Sequence, residues 1–250
     1  ALLTAELAGE TRRDERRRLA GLLSHGVDTL IRVLAHGLRG GEGAGSSPEF
    51  VRWLAGYVDR RLRTTAWLLD HWDAEPPLPP DSSIEAAQAR ATLDGLRSVF
   101  ALAARDADLR TRLHWDNGVL CARPDPQAPV FTADVDWPEE FWFACPVRGG
   151  FGFFLGEVLI NAIRHGRPGS TPALRVVLDR VRRELAFEVE NEIRVPSADS
   201  PGETYGGRGI LQRLARLFEW RDLACERRGD TYRVSWRVPV SERGDPQRAD

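Results

Sequence analysis

The sequence predicts an α+β chain in two parts: an N-terminal antiparallel helical hairpin over residues 1–75, then a helix-covered α/β sandwich over residues 84–240, with a polar, frayed tail at 241–250. Three observations lead there. Apolar residues recur at helical spacing up to Trp72, with one glycine-rich interruption. Four prolines then break the chain between Glu75 and Ser83. Beyond them, helical stretches alternate with short segments of strand periodicity.

In the first part, Leu19, Leu23, Val27, Leu30, Leu34 and Leu38 recur at spacings of four and three, which predicts one long amphipathic helix from about Leu2 to Leu38. Gly40–Ser47 (GGEGAGSS) ends it. Pro48 suits a first helical turn, and helical periodicity resumes from Phe50 to Trp72. Two long helices around a short loop make a hairpin, and two such hairpins would close a four-helix bundle, so a homodimer is expected. Trp53, Trp67 and Trp72 are expected to fill that bundle or dimer interface.

The Pro-rich run Glu75–Ser83 (EPPLPPDSS) reads as the linker. A helix is predicted from Ile84 to Leu113 on Leu93, Leu96, Val99, Phe100, Ala103 and Leu109, with His114–Ala122 extended after it. Pro129–Val135 alternates loosely and Gly152–His165 is strongly helical. Ala173–Leu178 and Leu185–Asn191 form two strands, Ile210–Phe218 a helix and Tyr232–Val238 a last strand, in a sheet expected to lean antiparallel. Trp137, Phe141, Trp142, Phe143, Phe151, Phe153 and Phe154 read as core beside the Gly152–His165 helix rather than as a stacking platform for a ligand.

Composition bounds the function. With 250 residues, 42% hydrophobic and 29% charged, the chain can build substantial cores. A net charge of −2 points to neither nucleic acid nor an anionic membrane, and Arg12–Arg18 (RRDERRR) reads as a solvated helical face. All 35 basic residues are Arg, which reads as the codon bias of a GC-rich genome. Cys121, Cys145 and Cys225 lack metal-like spacing and read as reduced thiols of a cytoplasm. No long apolar run is present and the chain opens on Ala1, so it reads as an excised, cytoplasmic piece, or as the cytoplasmic portion of a membrane sensor that reaches its membrane only through a preceding segment.

The most informative segment is Leu155–Gly166 (LGEVLINAIRHG), where Glu157, Asn161 and His165 stand four apart. On a helix this places a carboxylate, an amide and an imidazole on one flank. The order Glu-x-x-x-Asn-Ala-x-x-His resembles the N-box of the Bergerat-fold ATPases, the superfamily of gyrase and the histidine kinases. The resemblance implies a Bergerat sandwich binding ATP and Mg²⁺, with Asn161 as the metal ligand, Glu157 as general base or water-orienting residue, and His165 beside the phosphates. About forty residues on, Tyr205–Leu211 (YGGRGIL) resembles the family's second glycine box, which implies that Gly207, Gly209 and Ile210 meet the phosphates at a helix start. Where the family ends a strand with Asp-x-Gly, this chain has Asn191 and Ile193. Asn191 can present its carbonyl oxygen to the adenine amino group, without the carboxylate's charge. Arg194–Thr204 reads as a short ATP lid.

A histidine kinase also needs a phosphoacceptor. Ser24, His25 and Thr29 match the H-box pattern Ser-His-Glu-Leu-Arg-Thr-Pro, and His25 lies opposite the stripe of Leu23, Val27 and Leu30. Gly26 replaces the usual acidic residue. Another H-box register matches Glu15, Arg16, Arg18, Leu19, Ala20 and Leu23, with Ser24 in the histidine position; His36, on nearly the same face as His25, is a competing acceptor. The leading reading is a sensor histidine kinase core that phosphorylates His25 and passes the phosphoryl group to a response regulator. Two alternatives stand beside it: a degenerate kinase or phosphotransferase scaffold that binds nucleotide poorly, and a serine kinase of the anti-sigma-factor type, against which the long hairpin speaks.

Overall fold

The computed structural model describes Ile31, Ala35, Leu78 and residues 48–76, 82–105, 129–167, 169–193 and 206–241. The chain divides into two compact units, Ala1–Ala74 and Glu75–Asp250.

In the first unit, Ile31 and Ala35 are helical and the rest of the predicted first arm lies outside the described residues. The second arm is helix α1, Pro48–His71, which begins on the proline whose missing N–H costs nothing in a first turn. Its buried side is the stripe Leu54, Tyr57, Val58, Arg61, Thr64 and Leu68. Trp53 stacks on Tyr57 at 5.2 Å and Trp67 on His71 at 4.6 Å, each one turn apart on the helix. All three tryptophans of this arm stay half-buried.

The second unit opens with a correction. Ser82–Glu85 is a short strand, β1, and helix α2 (Ala86–Arg105) starts only after it. The Gln88 side chain accepts from the Glu85 backbone N–H at 3.4 Å, one half of a capping box, which sets the helix start at Ala86. Helical periodicity alone ran through Ile84 because a single buried residue in a four-residue strand leaves no period to read. β1 pairs antiparallel with β3 (Trp142–Cys145), a strand hidden from the sequence in an aromatic run. Residues 106–128, including the expected extended segment, lie outside the described residues.

The main sheet holds β2 (Thr132–Asp136), β4 (Ala173–Asp179), β5 (Glu184–Glu192), β6 (Arg221–Arg228) and β7 (Thr231–Pro239) in the order β2-β4-β5-β7-β6. Only the β2–β4 pair is parallel, as an antiparallel-leaning sheet requires. Its inner face is apolar: Leu174 and Val176, then Leu185, Phe187 and Val189, then Val234, Trp236 and Val238. The other face carries charge, with Arg233 Nε 3.3 Å from Glu188 Oε2. Helix α3, Gly150–His165, covers the inner face: Phe154 meets Trp236 at 5.1 Å and Phe151 meets Phe187 at 5.9 Å. Of the aromatic cluster assigned to the core, Phe141, Phe143, Phe151, Phe153 and Phe154 are buried and Trp137 and Trp142 half-buried.

Helix α4, Gly206–Leu217, ends in a Schellman motif. Trp220 N–H donates to Ala215 C=O at 2.8 Å and Glu219 N–H to Arg216 C=O at 3.2 Å, with Glu219 in the left-handed region (φ 55°) normally taken by glycine. Trp220 then drops into the core, edge-on to Phe154 at 4.9 Å and to Phe218 at 5.0 Å. Gly150 is glycine because a Cβ there would stand 2.7 Å from Phe218 Cζ and 2.8 Å from Cys145 Sγ. At the end of the sheet opposite Asn191, the buried Glu184 is held by Arg221 (3.1 Å) and Arg237 (3.7 Å). Nearby, Asp179 accepts from the backbone N–H groups of Arg182 and Val181, and the Arg182 bond above all holds its carboxyl below the usual range. Ser241, expected in the frayed tail, pairs with Trp142, and residues 242–250 lie outside the described residues.

Candidate nucleotide site

Each step of four residues overshoots a full helical turn by about 40°, so Glu157, Asn161 and His165 make a slanted stripe along α3. That stripe is where burial stops. Glu157, Asn161 and Arg164 are half-buried and His165 is exposed, while every other residue of α3 is buried. The rotation of the helix is set by Phe151, Phe154, Val158 and Leu159 in the core, and the polar flank follows from it.

The end of α3 is fastened to the end of β5. Arg167 N–H donates to Glu192 C=O at 2.7 Å, Gly166 bridges to Ile193, and Arg167 Nη1 lies 3.5 Å from Glu192 Oε2. With both partners more than half exposed, that ion pair contributes little; the backbone bonds define the junction. Ser170 Oγ donates to Arg167 C=O at 2.8 Å and closes the turn. Ile193 N–H donates to Asp230 C=O at 2.7 Å, carrying the junction across to the β6–β7 hairpin.

Asn191 sits inside this junction, 4% exposed, opposite Tyr232 on β7. Its Nδ2 donates to Ala162 C=O at 3.2 Å and to Glu192 C=O at 3.3 Å. Ala162 neighbours Asn161, and its carbonyl lies in the last turn of α3. The position read from the sequence as a base acceptor therefore also acts as a donor to the helix that carries the polar stripe.

Gly207, Gly209 and Ile210 lie in the first turn of α4, so the helix begins on the glycines instead of after them. The first four N–H groups of α4 belong to Gly206, Gly207, Arg208 and Gly209. Among the described residues, no three His, Cys, Asp or Glu side chains gather into a cation site. His25, His36 and the expected lid, residues 194–204, lie outside the described residues. Two cations that sequence reasoning did not single out, Arg164 and Arg167, flank His165; the run Arg164-His165-Gly166-Arg167 at a helix end was the available signal. Among the described residues no helix is long and apolar enough to cross a membrane.

No family model matches the chain, and neither does any curated protein. Among solved structures it is similar to the histidine kinase domain of the blue-light-activated histidine kinase EL346 of Erythrobacter litoralis, at 19% identity over 92% of this chain and 94% of that one, with a TM-score of 0.38. It is similar to the histidine kinase AdeS of Acinetobacter baumannii at 13% identity over 86% and 97%, TM-score 0.42. A third is the mycobacterial sensor histidine kinase MprB, at 12% identity over 64% and 98%, TM-score 0.39. Likeness at this level assigns no residue a role.

Proposed function

We propose that this chain is the ATP-dependent core of a sensor histidine kinase: it binds Mg·ATP along the polar flank of α3, transfers the γ-phosphoryl group to His25, and passes it to an aspartate of a response regulator. The observation that carries this reading is the α3 flank itself. Glu157 and Asn161 are half-buried and His165 exposed on a helix that is otherwise, Arg164 apart, sunk in the core, one turn from the junction that holds Asn191.

Each residue fits its role chemically. Asn161 offers a neutral amide oxygen, the hard donor that Mg²⁺ accepts, with phosphate oxygens and water completing the shell. The cation, once bound, would neutralise charge on the phosphates. His165, with Arg164 and Arg167 beside it, brings donors to the phosphate end, and the backbone N–H groups of the first turn of α4, Gly207 among them, would meet the same anion, with Ile210 next in the helix. Glu157 is the base or water-orienting group. With its nitrogen turned to two carbonyls, Asn191 directs Oδ1 to the other side of the amide, where an adenine amino group can donate to it. The partner subunit of a homodimer is the natural source of His25.

The test is incorporation of labelled phosphate from ATP and Mg²⁺ by wild type, Asn161→Ala and His25→Ala. Wild type should incorporate an acid-labile label and both variants should lose it; label retained in His25→Ala removes the acceptor assignment, and acid-stable label points to a serine kinase. One observation favours the second reading, a scaffold that binds nucleotide poorly: Asn191 is neutral and already engaged with α3. Absence of Mg²⁺-dependent nucleotide binding by the wild type would establish it.

A further inference from the structure

The Asn191 side chain has two jobs to choose between, and the geometry favours one that the base-recognition reading does not contain. Both carbonyls it faces, Ala162 C=O and Glu192 C=O, are acceptors only. Whatever atom points at them must donate. The amide orientation is therefore fixed by chemistry, with Nδ2 inward. The residue is 4% exposed, so the loss of that donor would not be made good by bulk water.

We infer that Asn191 is a positioning residue, a cap supplied by β5 to the C-terminal turn of α3, which fixes Asn161 and His165 relative to the strand end. The Ala162 carbonyl belongs to the last turn of the helix and accepts from Asn191 Nδ2 in a buried contact. Asn161 precedes it directly and His165 lies three residues on, so the turn being capped is the one that carries both. Finally, the cap comes from the same strand end that accepts from Arg167 N–H and bridges Gly166, so Asn191 closes a three-point attachment otherwise made of backbone alone.

A consequence separates this role from adenine recognition. An aspartate at 191 would be the better partner for a base amino group, since charge strengthens the bond. In this chain, however, it would turn a carboxylate oxygen towards two carbonyl oxygens, taking the side-chain donor from Ala162 C=O and leaving Glu192 C=O with Arg167 N–H alone. Asn191→Asp is nearly isosteric and should therefore impair the site, not improve it.

The experiment compares the full-length wild type with Asn191→Asp by thermal unfolding and by amide hydrogen exchange across residues 163–167. The expected result is a lowered Tm and exchange about tenfold faster or more in that turn, the factor that follows from removing the donor of one buried carbonyl and setting a carboxylate oxygen against it. An unchanged Tm with unchanged exchange overturns the inference. Should Asn191→Asp not fold, Asn191→Ser and Asn191→Ala decide: Ser keeps an O–H donor and should protect the turn better than Ala, whereas equal protection overturns the role. A further measurement rests on the proposed Mg·ATP site. With a non-hydrolysable ATP analogue, loss of positioning should reduce the Mg²⁺-dependent gain in affinity at Asn161, while a role confined to base recognition would weaken binding equally with and without Mg²⁺ and would count against the inference. Stability and exchange judge Asn191 whether or not the wild type binds nucleotide, so the two readings fail separately.

Discussion

Gly150→Ala tests how the core sets the site. The added methyl would lie 2.7 Å from Phe218 Cζ, 3.1 Å from Phe218 Cε2 and 2.8 Å from Cys145 Sγ, all well inside van der Waals contact. Both neighbours are buried and Phe218 is wedged against Trp220 at 5.0 Å, so neither ring nor sulfur can yield without disturbing the aromatic core. Overpacking of this kind costs about 1–3 kcal/mol. Helix propensity returns a few tenths at a first-turn position, well below Ala's ~1 kcal/mol advantage in helix interiors. The net expectation is a loss of about 2 kcal/mol, or a Tm lower by roughly 4–8 °C for a unit of this size. Urea and thermal unfolding of Gly150→Ala, Phe218→Leu and the double variant form the assay. Because the smaller side chain makes room for the methyl, the double variant should be more stable than the sum of the single effects predicts by about 1 kcal/mol. Full additivity, or a Gly150→Ala protein as stable as wild type, would refute the claim that close approach dictates glycine here.

Three further perturbations have expected outcomes. On the proposed site, Asn161→Ala should abolish the Mg²⁺ dependence of nucleotide affinity while leaving stability within about 1 kcal/mol of wild type, because the residue is only half-buried and its loss opens no core cavity; isothermal titration with and without Mg²⁺ reads the first and calorimetry the second. Glu219→Gly should stabilise by about 1 kcal/mol, since it relieves a left-handed backbone (φ 55°) at the α4 stop; a lower Tm would contradict the Schellman assignment. Burial pushes the Cys145 thiol from 9.0 up to about 11. The unfolded chain therefore releases this proton first: stability is intact below pH 9 and declines towards pH 11 by up to about 3 kcal/mol. The absence of Lys helps, because Cys and Tyr are then the main side chains titrating in that window. Wild type should lose stability relative to Cys145→Ala between pH 8 and 10.5 in urea titrations, and parallel curves would show that the thiol is not buried.

Much of the second unit was legible because its elements have long, clean periods. The α3 helix, the β4–β5 pair and β7 each bury a regular set of side chains, and a regular set is what a sequence displays. What escaped was short or two-sided. β1 buries only Ile84 fully, and β3 alternates over four residues inside an aromatic run. β6 lies at the sheet edge with half-buried residues on both faces and charges at its ends, so it shows no alternation. The signal that would have found it is the pair Gly229-Asp230, a two-residue loop with positive φ at the glycine, immediately before a recognised strand. At the site, residue spacing gave the flank of α3, but nothing in the order of residues could reveal that the Asn191 nitrogen faces Ala162. That contact joins residues 29 positions apart and depends on how α3 ends.

The site and the core are two sides of one helix, and the balance of energies says which governs the other. Phe151, Phe154, Val158, Leu159 and Ile163 are all within 1% of full burial. At about 2 kcal/mol each, they hold α3 in its rotation with roughly 10 kcal/mol. Turning the helix to bring Glu157 and Asn161 inward would forfeit much of that and add the cost of an uncompensated carboxylate. Rotation is thus secured by the core, but sliding along the axis and fraying at the last turn are not, because aromatic packing lies towards the first half of α3 and His165, its last residue, is exposed. Those freedoms are removed by hydrogen bonds: Asn191 to Ala162, Arg167 to Glu192, and the bridge at Ile193. A polar cap is the device suited to that place, since an apolar clamp there would have to cover the polar flank of Glu157, Asn161 and His165.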